Sequence, residues 1–282
     1  MTRKLVEGEN LTVLMALRAS LEGRVGLCYC DPPFFTQRDH RSKSGEVVFE
    51  DKWEDMSSYI YALRLRLEAI KPLLAPWGSV VVHVDSRVNA YVRVAGDSVF
   101  GCENFASEVV WRYRRWPSKT PNFQRVHDTL LRWRADVGVE PRFVQLYEAP
   151  AASTLKTWGT GKQLAVLKNG KRHHSSTTAE PSPGVPLGDV WDIGVIAPVA
   201  KERVDFPTQK PEALLHRLIS SLSQPGDLVL DPYVGSGTTC VVAERLGRGW
   251  VGVDKSPAAI RTAEGRLAKL VVEEPVHQEG DV

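Results

Sequence analysis

The chain has 282 residues, 43% apolar and 25% charged, enough to bury a core as one large domain or two modest ones. Its formal net charge is +2, so the molecule is no polycation and any nucleic-acid surface has to be local. No apolar run approaches a membrane span and "MTRKLVEGEN" lacks a secretory apolar core, so a cytoplasmic setting without a membrane partner is expected.

In chain order, "LTVLMALRASLEG" reads as an amphipathic helix following the polar "GEN". "RVGLCYC" is a buried strand, and it stops at "DPPF" because two prolines supply no N–H to a ladder and fix φ. A carboxylate and an aromatic ring are thereby displayed on a stiff turn at a strand end. "SSYIYALRLRLEAIKPLLAPWG" has helical spacing, starts at serines and is expected to stop at Pro76 and Gly78. "SVVVHVD" is a strand, "YVRVAGDSVFG" a short helix and "FASEVVWRY" a further strand. The alternation is that of a parallel sheet covered on both faces.

Of the four cysteines, Cys28 and Cys30 have strand spacing and share one face. No partnered C-x-x-C or His pair accompanies them at ligand spacing, so buried reduced thiols are expected and no metal site. His173 and His174 lie in the polar "NGKRHHSSTT", which reads as a solvated loop. The regular rhythm fails from Arg112 to Leu187. It resumes with the helix "QKPEALLHRLISSLS", the run "DLVLDPYVGSGTTCVVAERLGRGWVGVD" as strand, glycine turn, helix and strand, and a last helix opened by Ser256. The tail from 271 is polar and expected to be frayed.

The glycine turn carries a second chemistry. Gly235 and Gly237 follow a strand and open a helix, where missing side chains let backbone approach a ligand. Asp254 ends the next strand, a position suited to ribose hydroxyls. "GSGTTC" is neither the dinucleotide fingerprint nor a P-loop. A bare G-x-G is as compatible with a structural turn as with a site; strand, turn, helix, strand and acid together favour a ligand bearing a ribose.

"DPYVGSGTT" resembles the S-adenosylmethionine motif of amino-DNA methyltransferases, "DPPF" their D-P-P-[YFW] catalytic motif, and "FPTQKPEALLHRLI" the helix-start motif before the cofactor motif. Catalytic motif, variable region and cofactor motif in that order are similar to the β branch of the adenine-N6 and cytosine-N4 enzymes, over about Gly8 to Leu267. Tyr233 stands where that family usually has Phe, Phe35 where it often has Asn, and Gly8-Glu9-Asn10 where it often has G-D-N. The resemblance implies an α/β, Rossmann-like S-adenosylmethionine-dependent methyltransferase sheet with helices on both faces and an irregular target-recognition insert. It divides the chain into a catalytic part over 1–111, the insert over 112–187, a cofactor-binding part over 188–270 and the tail.

The implied catalytic residues are Asp31, Pro32, Pro33 and Phe34. Asp31 and the Pro32 carbonyl would hold the hydrogens of the target amine, and Phe34 would stack on an extruded base. The cofactor would lie against Asp31, Thr208, Lys210, Pro211, Asp231, Tyr233, Gly235, Ser236, Gly237, Thr238 and Asp254. Lys210 reads equally well as a loop anchor, Asp85 as a helix cap or a cleft residue, and Trp191 and Asp192 as cofactor neighbours or, for the tryptophan, core. Residues 112–134 hold seven Lys or Arg and one acid, interleaved with Trp116, Phe123 and Trp133. The position of this run favours phosphate contacts by Arg112, Arg114, Arg115, Lys119 and Arg125 over an ordinary solvated face. The expected activity is methylation of adenine N6 in double-stranded DNA, with cytosine N4 and a non-catalytic DNA-binding relative as the alternatives. A homodimer and a cognate restriction endonuclease stay open as partners.

Overall fold

The computed structural model describes residues 1–273 apart from 43, 44, 115, 118 and 120. In chain order it contains β1 (Arg3–Glu7), α1 (Asn10–Leu21), β2 (Val25–Cys30), β3 (Arg38–Arg41), β4 (Val47–Asp51), α2 (Met56–Ile70), β5 (Leu74–Val84), α3 (Asn89–Phe100), β6 (Phe105–Arg112) and β7 (His127–Arg134). There follow β8 (Tyr147–Glu148), α4 (Ala152–Trp158), β9 (Gly161–Lys168), β10 (Lys171–Pro181), β11 (Val185–Pro186), β12 (Val190–Asp192), α5 (Glu212–Leu222), β13 (Leu228–Asp231), α6 (Thr238–Arg245), β14 (Gly249–Asp254) and α7 (Pro257–Glu273). No helix among the described residues is long and apolar enough to cross a membrane.

One unit comprises Met1–Val144 and Asp189–Val282 and holds an eight-stranded sheet ordered β1-β14-β13-β2-β5-β7-β6-β12. Every pairing is parallel except those of β7, which runs antiparallel to both β5 and β6. All six residues of β2 are buried, as expected of a strand covered on both faces. Cys28 and Cys30 face the core beneath α1, α2 and α3 with Val80, Val82, Leu230 and Val253, and their sulfurs lie 3.6 Å apart. The alternate positions Leu27, Tyr29, Val81 and Val229 are buried but stand apart from that cluster, as the period of two requires.

The expected parallel sheet therefore carries one reversed strand, and that strand lies inside the stretch read as irregular. Trp133 has no exposed surface and packs on Phe100 and Phe105, so it belongs to the core and not to a nucleic-acid face. Its indole donates to Asp97 at 2.8 Å. Arg132 is also buried, and burial lowers its guanidinium to about 10. A hairpin return after β6 slots the run "DTLLRW" between β5 and β6, where apolar surface outweighs the flanking arginines. The second compact unit is Gln145–Gly188, shorter than the 112–187 insert read from the sequence. It contains the antiparallel ribbon β9–β10, which places His173 on a strand instead of a loop.

Three further elements differ from expectation. β1 forms an edge strand parallel to β14. Residues 38–51 form the β3–β4 hairpin. Helix α2 is capped by Asp55, which accepts from the Ser58 amide at 2.7 Å, and it ends at Ile70 instead of running to Pro76. Pro72 follows at once and cannot donate to the preceding turn, so the chain turns early and enters β5.

Candidate active site

Four acids mark the carboxyl edge of four adjacent parallel strands. Asp254 ends β14, Asp231 ends β13, Asp31 follows β2 and Asp85 follows β5. The chain leaves β2 towards β5 on one side and returns to β13 on the other, so Asp31 stands at the switch point where ligands of open α/β sheets bind. A cavity of about 590 Å³ opens there. Of the residues expected to act, Asp31, Pro32, Pro33, Phe34, Thr208, Lys210, Asp231, Tyr233, Gly235, Ser236, Thr238 and Asp254 line it. Pro211 is instead the N-cap of α5, and Gly237 the left-handed N-cap of α6.

The glycine turn is backbone-built. Gly235 has φ +49°, and a Cβ there would sit 3.1 Å from the Phe206 ring. Gly237 has φ +79°, and a Cβ would sit 2.7 Å from that of Ala263 on α7, so a side chain would push the helices apart. The Gly235 amide donates to Asp254 Oδ2 at 3.0 Å, and the Ser256 amide to Oδ1 at 2.9 Å. Burial pushes the Asp254 carboxyl upward against those two amides. Burial likewise raises Asp231 to about 7; the Thr239 hydroxyl and Tyr233 amide oppose this, while Asp31 and Asp254 add to it. Thr238 and Ser236 are drawn inward, where Arg266 donates to the Thr238 hydroxyl at 2.8 Å and the Ser236 carbonyl at 3.0 Å. Glu9, in the corner read against G-D-N, caps α1 by accepting from the Thr12 amide at 3.0 Å and pairs with Arg66.

At the D-P-P-F turn, Lys210 Nζ lies 2.5 Å from Asp31 Oδ2 with both side chains largely buried. The same ammonium sits 5.2 Å from the centre of the Phe34 ring. The Pro33 carbonyl accepts the Tyr59 hydroxyl at 2.8 Å, so of the two proline carbonyls Pro33's is committed to the fold. Behind Phe34, His83 packs at 5.7 Å and receives a 2.7 Å contact from the Tyr29 hydroxyl at Nδ1. Asp128 lies 3.4 Å from His83 Nε2 and accepts the Tyr113 hydroxyl at 2.8 Å. Burial works against the charge of Asp128, but His83, Lys210 and Tyr113 outweigh it and hold the carboxyl below its ordinary range.

On the side towards β6 and β7, Arg125 lines the cavity and pairs with Asp85 at 2.8 Å. Arg87 pairs with the same carboxylate at 2.8 Å, and the Arg87 amide donates to its other oxygen, so Asp85 both borders the cleft and organises the strand end. Arg112 pairs with Asp192 through two hydrogen bonds, one of them 2.6 Å. Trp191 is buried on β12 at the far edge of the sheet, with Arg217 5.5 Å from its ring. Arg114 and Lys119 are exposed; Arg115 lies outside the described residues. Trp116 and Phe123 are 92% and 99% exposed, a different fate from that of Trp133.

Asp51, Tyr59, His83 and Asp128 were not singled out by sequence. They reach the site from a hairpin, a helix and two strands, and carry no local pattern that marks them.

The lining fits a ligand with hydroxyls and a positive charge: the acids Asp31, Asp231 and Asp254 share the cavity with a turn that has no side chain at Gly235. A model of the N6/N4 DNA methylases matches residues 25–265. The type II methyltransferase M2.DpnII of Streptococcus pneumoniae is 29% identical over 86% of this chain and 81% of its own length. Two solved structures share the fold. The M1.HpyAVI–SAM complex has a TM-score of 0.58 and 17% identity, covering 94% of this chain and 99% of that one. The cytosine-N4-specific PvuII DNA methyltransferase has a TM-score of 0.63 and 19% identity, covering 94% and 86%. With its D-P-P-F turn and glycine turn meeting at one cavity, the chain belongs to the N6/N4 DNA methylase family, whose methyl donor is S-adenosylmethionine.

Proposed function

We propose that the protein methylates the N6 amine of adenine within a specific sequence of double-stranded DNA. The observation that supports this reading is that Asp31, the Phe34 ring and the glycine turn at Gly235 line one cavity. S-adenosylmethionine, when bound, supplies a methyl group on a positively charged sulfur, open to in-line displacement.

The amine of adenine is a poor nucleophile because its lone pair is delocalised into the ring. Asp31 and the Pro32 carbonyl accept its two hydrogens and draw the nitrogen towards tetrahedral geometry, aiming the lone pair. Lys210 occupies Asp31 Oδ2, which leaves Oδ1 for the amine. As the nitrogen gains positive charge, Asp31 takes one of its protons. Phe34 stacks on the extruded base. Asp254 holds the ribose hydroxyls, with the Gly235 amide on one of its oxygens and the Ser256 amide on the other. Thr208 and Lys210 cover the methionine end, while Arg112, Arg114, Arg115, Lys119 and Arg125 meet phosphates.

Asp instead of Ser at position 31 favours adenine. Cytosine N4 is the second reading, because the same turn serves that amine and the fold is shared with a cytosine-N4-specific enzyme. Radiolabelled methyl transfer to genomic DNA, followed by mass spectrometry of the nucleosides, separates the two. N6-methyladenine supports the proposal, and N4-methylcytosine alone overturns it.

A further inference from the structure

The catalytic turn is a costly piece of backbone. Phe35 and Gln37 have φ of 56° and 57°, in the left-handed region that non-glycine residues keep only when their surroundings over-determine it. Both lie just beyond Phe34, so whatever holds them also aims the ring and the proline carbonyls.

The hairpin β3–β4 supplies that hold. Asp51 closes β4 with no exposed surface, and its two oxygens take four donors. Oδ2 accepts from the Phe34 amide at 3.1 Å, the Thr36 amide at 2.7 Å and the Thr36 hydroxyl at 2.7 Å. Oδ1 accepts from Trp53 Nε1 at 2.9 Å. The two amides flank Phe35, so one carboxylate oxygen spans the strained residue. Gln37 is fixed by the same stretch: its carboxamide gives to the Trp53 carbonyl and takes from the Trp53 amide, each at 2.9 Å. From the other side Tyr59 meets the Phe35 ring at 5.8 Å and holds Pro33.

Thr36 extends the clamp. Its hydroxyl has one proton and gives it to Asp51, so at the 3.0 Å contact with His40 Nε2 the imidazole is the donor. His40 is itself stacked on Phe49, 4.3 Å away and 9° from parallel. The clamp is therefore rooted in both strands of the hairpin.

We propose that Asp51 is a positioning residue of the methyl-transfer reaction, holding the Phe34–Gln37 backbone so that Phe34 and the Pro32 carbonyl point at the target base. What the turn does rests on the reading of function above; that Asp51 holds the turn does not.

The test has two readouts. In Asp51→Ala, amide hydrogen exchange at Phe34–Gln37 should quicken by at least about tenfold, while β13 and β14 keep their protection. Turnover should fall by about 100-fold with a much smaller change in S-adenosylmethionine affinity, because misaimed groups lose rate before they lose binding. Asp51→Asn is the finer probe. Its oxygen can face the Phe34 and Thr36 amides, which then sets its NH2 against the Trp53 indole N–H, donor against donor. Replacing that indole as well, in Asp51→Asn with Trp53→Phe, should recover protection and turnover relative to Asp51→Asn alone. Native-like exchange and turnover in a folded Asp51→Ala protein would overturn the proposal. So would a double variant no better than the single asparagine. Wild-type protein that methylates no DNA overturns the functional reading, and hydrogen exchange still decides the clamp by itself.

Discussion

The glycine turn after β13 and the loop after β6 leave the same edge of one sheet, yet they are built in opposite ways. At the glycine turn the working groups are backbone amides and short acids, buried and tied to one another; Gly235 donates to Asp254, and Asp254 also takes Ser256. In the loop before β7 the groups are long cations and bare rings. Arg112 and Arg125 are paired with Asp192 and Asp85, and Phe123 is almost wholly exposed. The first arrangement is preorganised, and a ligand held there would cost little entropy to bind. The second would have to break ion pairs and order long side chains before gripping a phosphate. A cofactor of fixed shape suits a fixed site, whereas DNA of varied sequence suits side chains that find their partners on arrival.

The largest expected effect tests the rigid side. Asp31→Ala should cut methyl transfer by about 10²–10⁴-fold, the usual worth of a positioned acid or base, while S-adenosylmethionine affinity changes far less. Single-turnover transfer of a labelled methyl, beside calorimetry of cofactor binding, reads both numbers. Near-normal turnover in a folded variant would remove Asp31 from the chemistry.

Asp254→Ala should act in the complementary manner. Losing charge-assisted hydrogen bonds costs about 1.5–3 kcal/mol, roughly ten- to a hundredfold in cofactor affinity. Calorimetry with S-adenosylmethionine is the check, and an unchanged dissociation constant would leave the acid as a turn-former for Gly235 alone.

The loop should respond to salt instead. Alanine at Arg114 or Lys119 should weaken binding to every DNA sequence and shrink the slope of log K against log salt by about 0.9 for each phosphate no longer neutralised. Site preference, read by sequencing methylated product, should stay put because phosphate contacts set position and base edges carry sequence. An altered target sequence would place that side chain in a groove.

The smallest effect sharpens the contrast directly. Asp192→Ala releases Arg112 from an exposed pair and should tighten DNA binding by roughly threefold or less, the scale of surface ion pairs. A drop in affinity would mean that Asp192 orients Arg112 instead of competing for it.

The legible parts of the site are those made by contiguous residues. Asp31 through Phe34, and Gly235 through Thr238, signal themselves because prolines and glycines constrain their own neighbourhood. Asp51 sits 15 residues beyond the Thr36 amide it holds, and Tyr59 26 beyond the Pro33 carbonyl, so no local pattern could announce either. The strand β7 was hidden for a different reason. Its apolar run is short and flanked by Arg125, Arg132 and Arg134, and only its place between β5 and β6 shows that Trp133 is core.

By itself the sequence determined the alternation of helices and strands from α1 to β6, save the β3–β4 hairpin, and from α5 to α7, with the two turns and the acids at the strand ends, since each follows from backbone chemistry within a few residues. Only the tertiary structure decided that Lys210 meets Asp31 across 179 residues, that Asp51 spans Phe35, and that Arg112 and Arg125 already have acidic partners. Those interactions join segments distant in the chain, and they form only because packing brings parallel strands into register and their ends to one edge.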